Sequence, residues 1–301
     1  MQASEQQTVQ SLTKSAQQII HGDYKAAQQL FEVAANATEV PEYRELAETL
    51  GMMSVKVEAR EFDLEYKIEK IEQQSKELEH VGKLRAESGF LFCAISLMLS
   101  AYTAVVSAGL TAGWISARVE TLITVGLLLA LLGIFGFYTR RHRHAWAIWG
   151  FTWKGSARAL RESLLWCVPG ALALIGLKGW LIGQSWSPFF GHPLFNWKLS
   201  WWIVIMYFFL AVAQEIISRG FLQTTIERIL TGRYRGVMAV FTTSVLFAVV
   251  HLHYSAATML ATMVAGLFFG WLYRRHQTLV GVSVAHFLLG TLALDILRLI
   301  G

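Results

Sequence analysis

The sequence has little cysteine, no apolar run near its start and few acidic residues after residue 88. Its two cysteines, Cys93 and Cys167, fall in apolar runs, so we expect packing residues and exclude a disulfide framework. The first 30 residues are polar, which excludes a cleavable signal peptide among them and predicts a cytoplasmic N-terminus. Only five of the 21 acidic side chains lie in residues 89–301.

Apolar residues dominate the chain. They make up 54% of its 301 residues, and the mean hydropathy of +0.43 is too high for an ordinary soluble domain. Residues 1–88 carry 10 basic and 16 acidic side chains, a net charge of −6, whereas residues 89–301 carry 16 and 5, a net charge of +11. This break predicts two modules. In a membrane module, a basic excess indicates cytoplasmic loops, not a nucleic-acid partner.

The first module is expected to be helical. Pro41 is typical of a first helical turn, and residues 42–85 follow it with a strongly helical composition. Apolar side chains recur there with the 4-3-4-3 spacing of a short coiled-coil seam. The seam consists of Leu64, Ile68, Ile71, Ser75 and Leu78. It could pair with a second copy of the chain or with a partner protein, or it could be the packed face of a single amphipathic helix.

Seven apolar segments follow, and they predict an all-α, polytopic membrane helix bundle. The predicted spans are Gly89–Leu110, Val119–Tyr138, Leu164–Ile182, Trp201–Leu230, Val237–His251, Ala256–Tyr273 and Leu279–Leu297. If the N-terminus is cytoplasmic, the basic residues concentrate on the cytoplasmic connections and the C-terminus lies on the opposite side. We divide the chain into a cytoplasmic helical module (1–88), two spans with a basic loop (89–144) and a transmembrane core (145–301). We expect an integral protein of the bacterial cytoplasmic (inner) membrane.

Polar sites that could do chemistry stand out in three of the apolar segments. Glu215 and Arg219 are four residues apart in the fourth, so they share one helix face and can pair. His251 ends the fifth segment, and His286 lies within the seventh. An ionisable group at membrane depth is costly unless it has a partner or water, and it often marks a functional site. We therefore expect these groups to share one polar cavity.

A carboxylate and two imidazoles in one cavity could activate a water molecule, with the carboxylate as base and the imidazoles orienting water or stabilising an oxyanion. The same three groups, Glu215, His251 and His286, could bind a divalent metal such as zinc. A structural reading stays open as well. The pair of Glu215 and Arg219 could close a helix end, and His253, just beyond His251, is typical of an interfacial residue.

These residues also form an ordered series of motifs. Glu-x-x-x-Arg-Gly from Glu215, Phe-x-x-x-His from Phe247 to His251, and the late histidine His286 together resemble the CPBP (CAAX protease and bacteriocin-processing, or Abi) family. That family includes the type II CAAX prenyl endopeptidases, which are intramembrane proteases. The resemblance covers about residues 145–297. It implies catalytic roles for Glu215, His251 and His286, with Arg219 fixing the carboxylate. The candidate supporting positions are Gln214, Phe247, His253 and Gly290.

Two positions depart from the family pattern. Gln214 stands where the family has its first glutamate, the water-activating base, and Gly290 stands where an Asn or Asp would help to hold the oxyanion. A glutamine amide is not a useful base, and glycine offers no side-chain donor. Three explanations stay open. Glu215 serves as base, or the protein has lost proteolysis and kept the fold, or Gln214 is an engineered substitution. A single engineered substitution at position 214 would not account for Gly290.

The sequence thus predicts an intramembrane peptidase that cleaves a membrane-associated protein or peptide, which could be lipid-modified. The alternative is a catalytically impaired membrane scaffold or receptor that recruits a partner through its N-terminal helical arm. A transporter fits less well, because the sequence shows no inverted repeat and no pair of broken helices.

Overall fold

The computed structural model describes residues 2–198 and 200–299, and those residues form helices and connections without a β-strand. The predicted all-α class is therefore confirmed. The α-helices are α1 Gln2–Ile20, α2 Ala27–Ala35, α3 Pro41–Thr111, α4 Ala117–Arg141, α5 Ser156–Ile182, α6 Trp201–Glu215, α7 Thr224–Ile229, α8 Arg235–Val249, α9 Ala256–His276 and α10 Leu279–Thr291. Two π-helical segments follow α6 and α10, at Ile216–Gln223 and Leu292–Ile296.

Residues 1–82 form one compact unit. Its small core joins α1, α2 and the start of α3 through Leu12, Leu30 and Ala47. The seam residues of α3 lie beyond that core, and their apolar members Leu64, Ile68, Ile71 and Leu78 are all more than half exposed. A partner for this seam stays a prediction.

Residues 83–301 form the second unit. The boundary falls inside α3, which runs without interruption from Pro41 to Thr111, where the sequence predicts a helix to residue 85 and a separate span from Gly89. No proline lies between them, and the glycines Gly82 and Gly89 are tolerated inside a helix at a cost of about 1 kcal/mol each.

Within the part of the chain that the structure describes, six helices are long and apolar enough to cross a membrane, by length and composition. They are α3, α4, α5, the composite helix α6–α7 through the first π segment, α9, and α10 with the second π segment. The predicted fifth span is the exception, because α8 ends at Val249 after 15 residues. At 1.5 Å per residue it covers about 22 Å, less than the roughly 30 Å of a bilayer core. The polytopic bundle is thus confirmed, whereas the count of seven is not.

The helices of the second unit meet in a way that brings the motifs together. Helix α8 packs along α9, and α10 packs against α5, α6 and α9. One apolar core joins α3, α4 and the first π segment around Phe135, Trp149 and Phe221. A second core joins α5, α9 and α10 around Phe269, Leu272 and Val282. The ends of α6 and α8 and the middle of α10 lie next to these two cores.

Candidate active site

Glu215 and Arg219 form a buried ion pair at a change of helix type. Glu215 is the last residue of α6, and Arg219 lies in the first π segment. Neither side chain has exposed surface, and the Arg219 Nε lies 3.3 Å from the Glu215 Oε2. Short π-helical segments inside α-helices occur frequently at functional sites. A charge without exposed surface must be paired, since removing one partner of a buried pair is strongly destabilising.

Arg219 is held by more than the carboxylate. Its Nη1 donates to the Gln223 Oε1 at 3.4 Å, and the Gln223 Nε2 donates to the Gly270 carbonyl oxygen at 3.2 Å. A Cβ atom at Gly270 would lie 3.1 Å from the Arg219 Nη1, so glycine lets α9 approach the guanidinium closely. Sequence reasoning missed Gln223, although its position four residues after Arg219, on the same helix face, is a usable signal.

His286 connects α10 to this ion pair. Its Nδ1 lies 2.7 Å from the Glu215 Oε1, and the contact is buried. The Phe269 ring stacks on the imidazole, with the ring centroids 4.9 Å apart. Because a carboxylate only accepts hydrogen bonds, the Nδ1 carries the proton in this contact. In the neutral ring, the Nε2 is then the basic nitrogen.

His251 has the same arrangement with a different acceptor. It lies in the turn after α8, and its Nδ1 is 2.7 Å from the carbonyl oxygen of Phe247. The Nδ1 must again be the donor, which leaves the Nε2 of the neutral ring as a base or acceptor. The Phe247 ring lies between the two histidines, with its centroid 4.8 Å from that of His251 and 6.0 Å from that of His286.

A cavity of about 830 Å³ lies between His251 and His286 and is lined by both. Its wall is mostly apolar. The predicted site residues in the wall are Gln214, Phe247, His251, His253, His286 and Gly290. Glu215 and Arg219 do not line it, so the carboxylate reaches the cavity through His286. Gln214 lines the cavity and its neighbour Glu215 does not, because successive helical side chains point about 100° apart.

His253 belongs to a second polar group at this cavity. The sequence suggests an interfacial residue, but the side chain is 2% exposed and its Nε2 lies 3.4 Å from the Glu120 Oε1 of α4. The same carboxylate oxygen accepts from the Tyr254 hydroxyl at 3.3 Å and the Thr124 hydroxyl at 3.0 Å. Burial and the neighbouring Glu120 carboxylate raise the pKa of Tyr254 to about 12. Sequence reasoning missed Glu120, one of the five acids after residue 88.

The metal prediction finds no support in the geometry. Among residues 2–198 and 200–299, no three His, Cys, Asp or Glu side chains are grouped so that they could hold a metal ion. Both oxygens of Glu215 already accept hydrogen bonds, from His286 and Arg219. Zinc on Glu215, His251 and His286 therefore stays a prediction that only a metal analysis tests.

Comparison with known proteins identifies the segment that carries the motifs. Residues 195–292 match the family model of Rce1-like type II CAAX prenyl endopeptidases. The CPBP resemblance is thereby confirmed over 98 of the 301 residues, a shorter range than the predicted 145–297. No curated protein and no solved structure matches the chain. Together with the six apolar helices, the family match supports an integral membrane protein and, in general terms, an intramembrane peptidase.

Proposed function

We propose that the chain is an intramembrane endopeptidase that uses Glu215 and His286 together as its base. The observation that carries this proposal is the 2.7 Å contact between the Glu215 Oε1 and the His286 Nδ1, combined with the position of His286 in the wall of a large apolar cavity. The sequence predicts Glu215 as the base. Because that carboxylate has no exposed surface, it acts on water through the imidazole.

The proton transfers follow from the tautomer of His286. Its Nε2 takes a proton from a water molecule in the cavity, and the water oxygen attacks the carbonyl carbon of the scissile peptide. The resulting imidazolium is stabilised by the Glu215 carboxylate, whose orientation is fixed by Arg219. When the tetrahedral intermediate collapses, the Nε2–H returns the proton to the leaving amine. This arrangement follows the logic of a histidine oriented by a buried carboxylate.

His251 supports the reaction from a second helix. Its Nδ1 is occupied by the Phe247 carbonyl oxygen, so the free Nε2 can accept a hydrogen bond from the attacking water and orient it. Gln214 also lines the cavity, and its amide is a donor and acceptor that can hold water or substrate. No step in this scheme uses a metal, because the donor atoms of the described residues do not converge on one point.

The proposed substrate is a membrane-associated protein or peptide, and a lipid-modified one fits best. The cavity volume of about 830 Å³ is at the upper end of the range for small-molecule sites, about 300–1,000 Å³. Its wall combines a few polar groups with many leucines, alanines and phenylalanines from helices α3 to α6 and α8 to α10. The name of the matching family, the CAAX prenyl endopeptidases, agrees with an apolar group beside the scissile bond.

A reconstituted cleavage assay tests the proposal. The purified full chain in liposomes is given a prenylated CAAX peptide and, separately, an unmodified transmembrane peptide, and products are identified by mass spectrometry. We expect endoproteolysis that His286→Ala reduces by about 10²–10⁴. His192→Ala, in an exposed loop, is the matched control and should keep wild-type activity. Cleavage of neither peptide by the wild-type chain would contradict the proposal.

A further inference from the structure

We infer that the hydroxyl of Tyr207 is the donor that stabilises the oxyanion, and that Gly290 is glycine because this hydroxyl occupies its side-chain space. The inference rests on the proposed function and deepens it. Tyr207 lies on α6, two turns before Glu215, and Gly290 lies on α10, four residues after His286. The two positions therefore face each other at the same contact of α6 with α10 that joins Glu215 to His286.

The distances show how completely the tyrosine fills the space. A Cβ atom built at Gly290 would overlap the Tyr207 hydroxyl oxygen, and it would lie 2.6 Å from the Cζ and 2.9 Å from the Cε1. Real Cβ atoms essentially never show contacts under 3.0 Å. Any side chain at position 290 would therefore displace the phenol, and the phenol would exclude any side chain. Tyr207 of α6 therefore supplies the polar group, and Gly290 of α10 leaves the space that the phenol occupies.

The Tyr207 hydroxyl belongs to a residue that lines the cavity beside His286. Tyr207 and Gly290 both line the cavity, and the Tyr207 ring meets the His286 ring edge to face, with the centroids 6.2 Å apart. Among the hydrogen bonds of residues 2–198 and 200–299, none involves this hydroxyl. By contrast, the cavity-lining Tyr102 and Tyr254 bond to Thr124 and Glu120. Tyr207 therefore has an uncommitted donor beside the proposed base.

The chemistry requires such a donor. The Nδ1 protons of His251 and His286 are committed to the Phe247 carbonyl oxygen and to Glu215, and the Nε2 atoms of the neutral rings can only accept. When water attacks, the carbonyl oxygen of the substrate gains negative charge that needs a fixed donor to stabilise it. A phenol O–H beside His286 provides that donor without giving up its proton, since tyrosine ordinarily ionises near pH 10.

The test is Tyr207→Phe, which keeps the ring and removes only the hydroxyl. In the liposome assay we expect kcat to fall by about 10²–10³, as for the loss of one oxyanion donor, with KM nearly unchanged. A ring that only fills space would leave kcat unchanged after this substitution. Tyr234→Phe, an exposed tyrosine outside the cavity wall, is the control and should keep the wild-type kcat.

A reciprocal exchange supplies the second measurement. Tyr207→Ala removes both the ring and the donor, and adding Gly290→Asn places an amide donor in the space that the ring has left. We expect the double variant to be at least tenfold more active than Tyr207→Ala alone. Gly290→Asn in the presence of Tyr207 should be nearly inactive because of the overlap.

The outcomes separate this inference from the proposed function. If Glu215→Gln is inactive while Tyr207→Phe keeps the wild-type kcat, the inference is wrong and the peptidase proposal stands. If the double variant is no more active than Tyr207→Ala, the claim that a donor at position 290 can replace the Tyr207 hydroxyl is wrong. If the wild-type chain cleaves neither peptide, both the proposed function and this inference fail.

Discussion

His286 and Glu215 are 71 positions apart in the sequence, yet the imidazole Nδ1 lies 2.7 Å from the carboxylate Oε1. The contact crosses from α10 to the end of α6, and Arg219 holds the other carboxylate oxygen. A neutral imidazole in this position has its basic Nε2 turned away from the carboxylate, and its residue lines the cavity. The three residues therefore form a unit in which His286 presents one base to the cavity, while the charged Glu215 and Arg219 stay buried behind it.

The first prediction concerns Gln214, which lines the cavity beside Glu215. We expect Gln214→Glu to give no gain in cleavage, because Glu215 and His286 already form the base. A second carboxylate one residue away would disfavour the ionised form of Glu215 through like-charge repulsion, and activity should stay level or fall. Gln214→Ala measures what the amide contributes without the charge. A gain of tenfold or more for Gln214→Glu would instead show that position 214 is the natural site of the base.

The second prediction concerns metals. Since the described donors do not converge on one point, we expect a chelator to leave cleavage unchanged and elemental analysis to find no stoichiometric zinc in the purified chain. The control is added zinc, which should not raise the activity of the chelated sample. Loss of activity with the chelator, restored by zinc, would support the metal site on Glu215, His251 and His286.

Much of the fold could be predicted from the sequence, because long apolar runs have few structural solutions in a membrane. The pair of Glu215 and Arg219 could be predicted too, since their spacing of four is a local property of a helix. The partner of Glu215 could not, because it depends on how α10 packs on α6. The contact between Tyr207 and Gly290 could not be predicted for the same reason, since the two residues are 83 positions apart in the sequence. The predicted fifth span, Val237–His251, is no longer than α8, and it was counted as a crossing because the alternation of basic connections favoured seven spans.

The third prediction concerns topology and tests whether α8 crosses the membrane. In a background without Cys93 and Cys167, a cysteine at Trp186, which is 67% exposed, and one at Arg274 are labelled from either side. We expect opposite sides, with Arg274 and the N-terminus in the cytoplasm, because basic residues concentrate on the connections assigned to the cytoplasm. This outcome requires α8 to cross the membrane although it covers only about 22 Å. Since α9 separates Arg274 from the connection after α8, labelling of both cysteines from one side would mean that the 15-residue α8 does not cross.

The fourth prediction concerns the exposed seam on α3. Cysteines placed at Leu64, Ile68, Ile71 or Leu78 should form crosslinks in membranes, because an apolar stripe with this spacing is stabilised by a second helix. The partner should be another copy of the chain or a captured protein, which mass spectrometry identifies. Tyr66→Cys and Gln73→Cys, on the opposite helix face, are the matched controls. Equal crosslinking at the seam and at the controls would remove the support for a partner.

The most direct test of the central claim is a double-mutant cycle on Glu215 and His286. Activity in liposomes is measured for Glu215→Gln, for His286→Ala and for the chain with both changes, with unfolding followed in parallel because Arg219 loses its buried partner. We predict that each single change lowers kcat by about 10²–10⁴. The kcat of the double variant should be no lower than that of the less active single variant, because the two residues supply one base. Losses that multiply, or a Glu215→Gln variant that folds and keeps wild-type cleavage, would contradict the account.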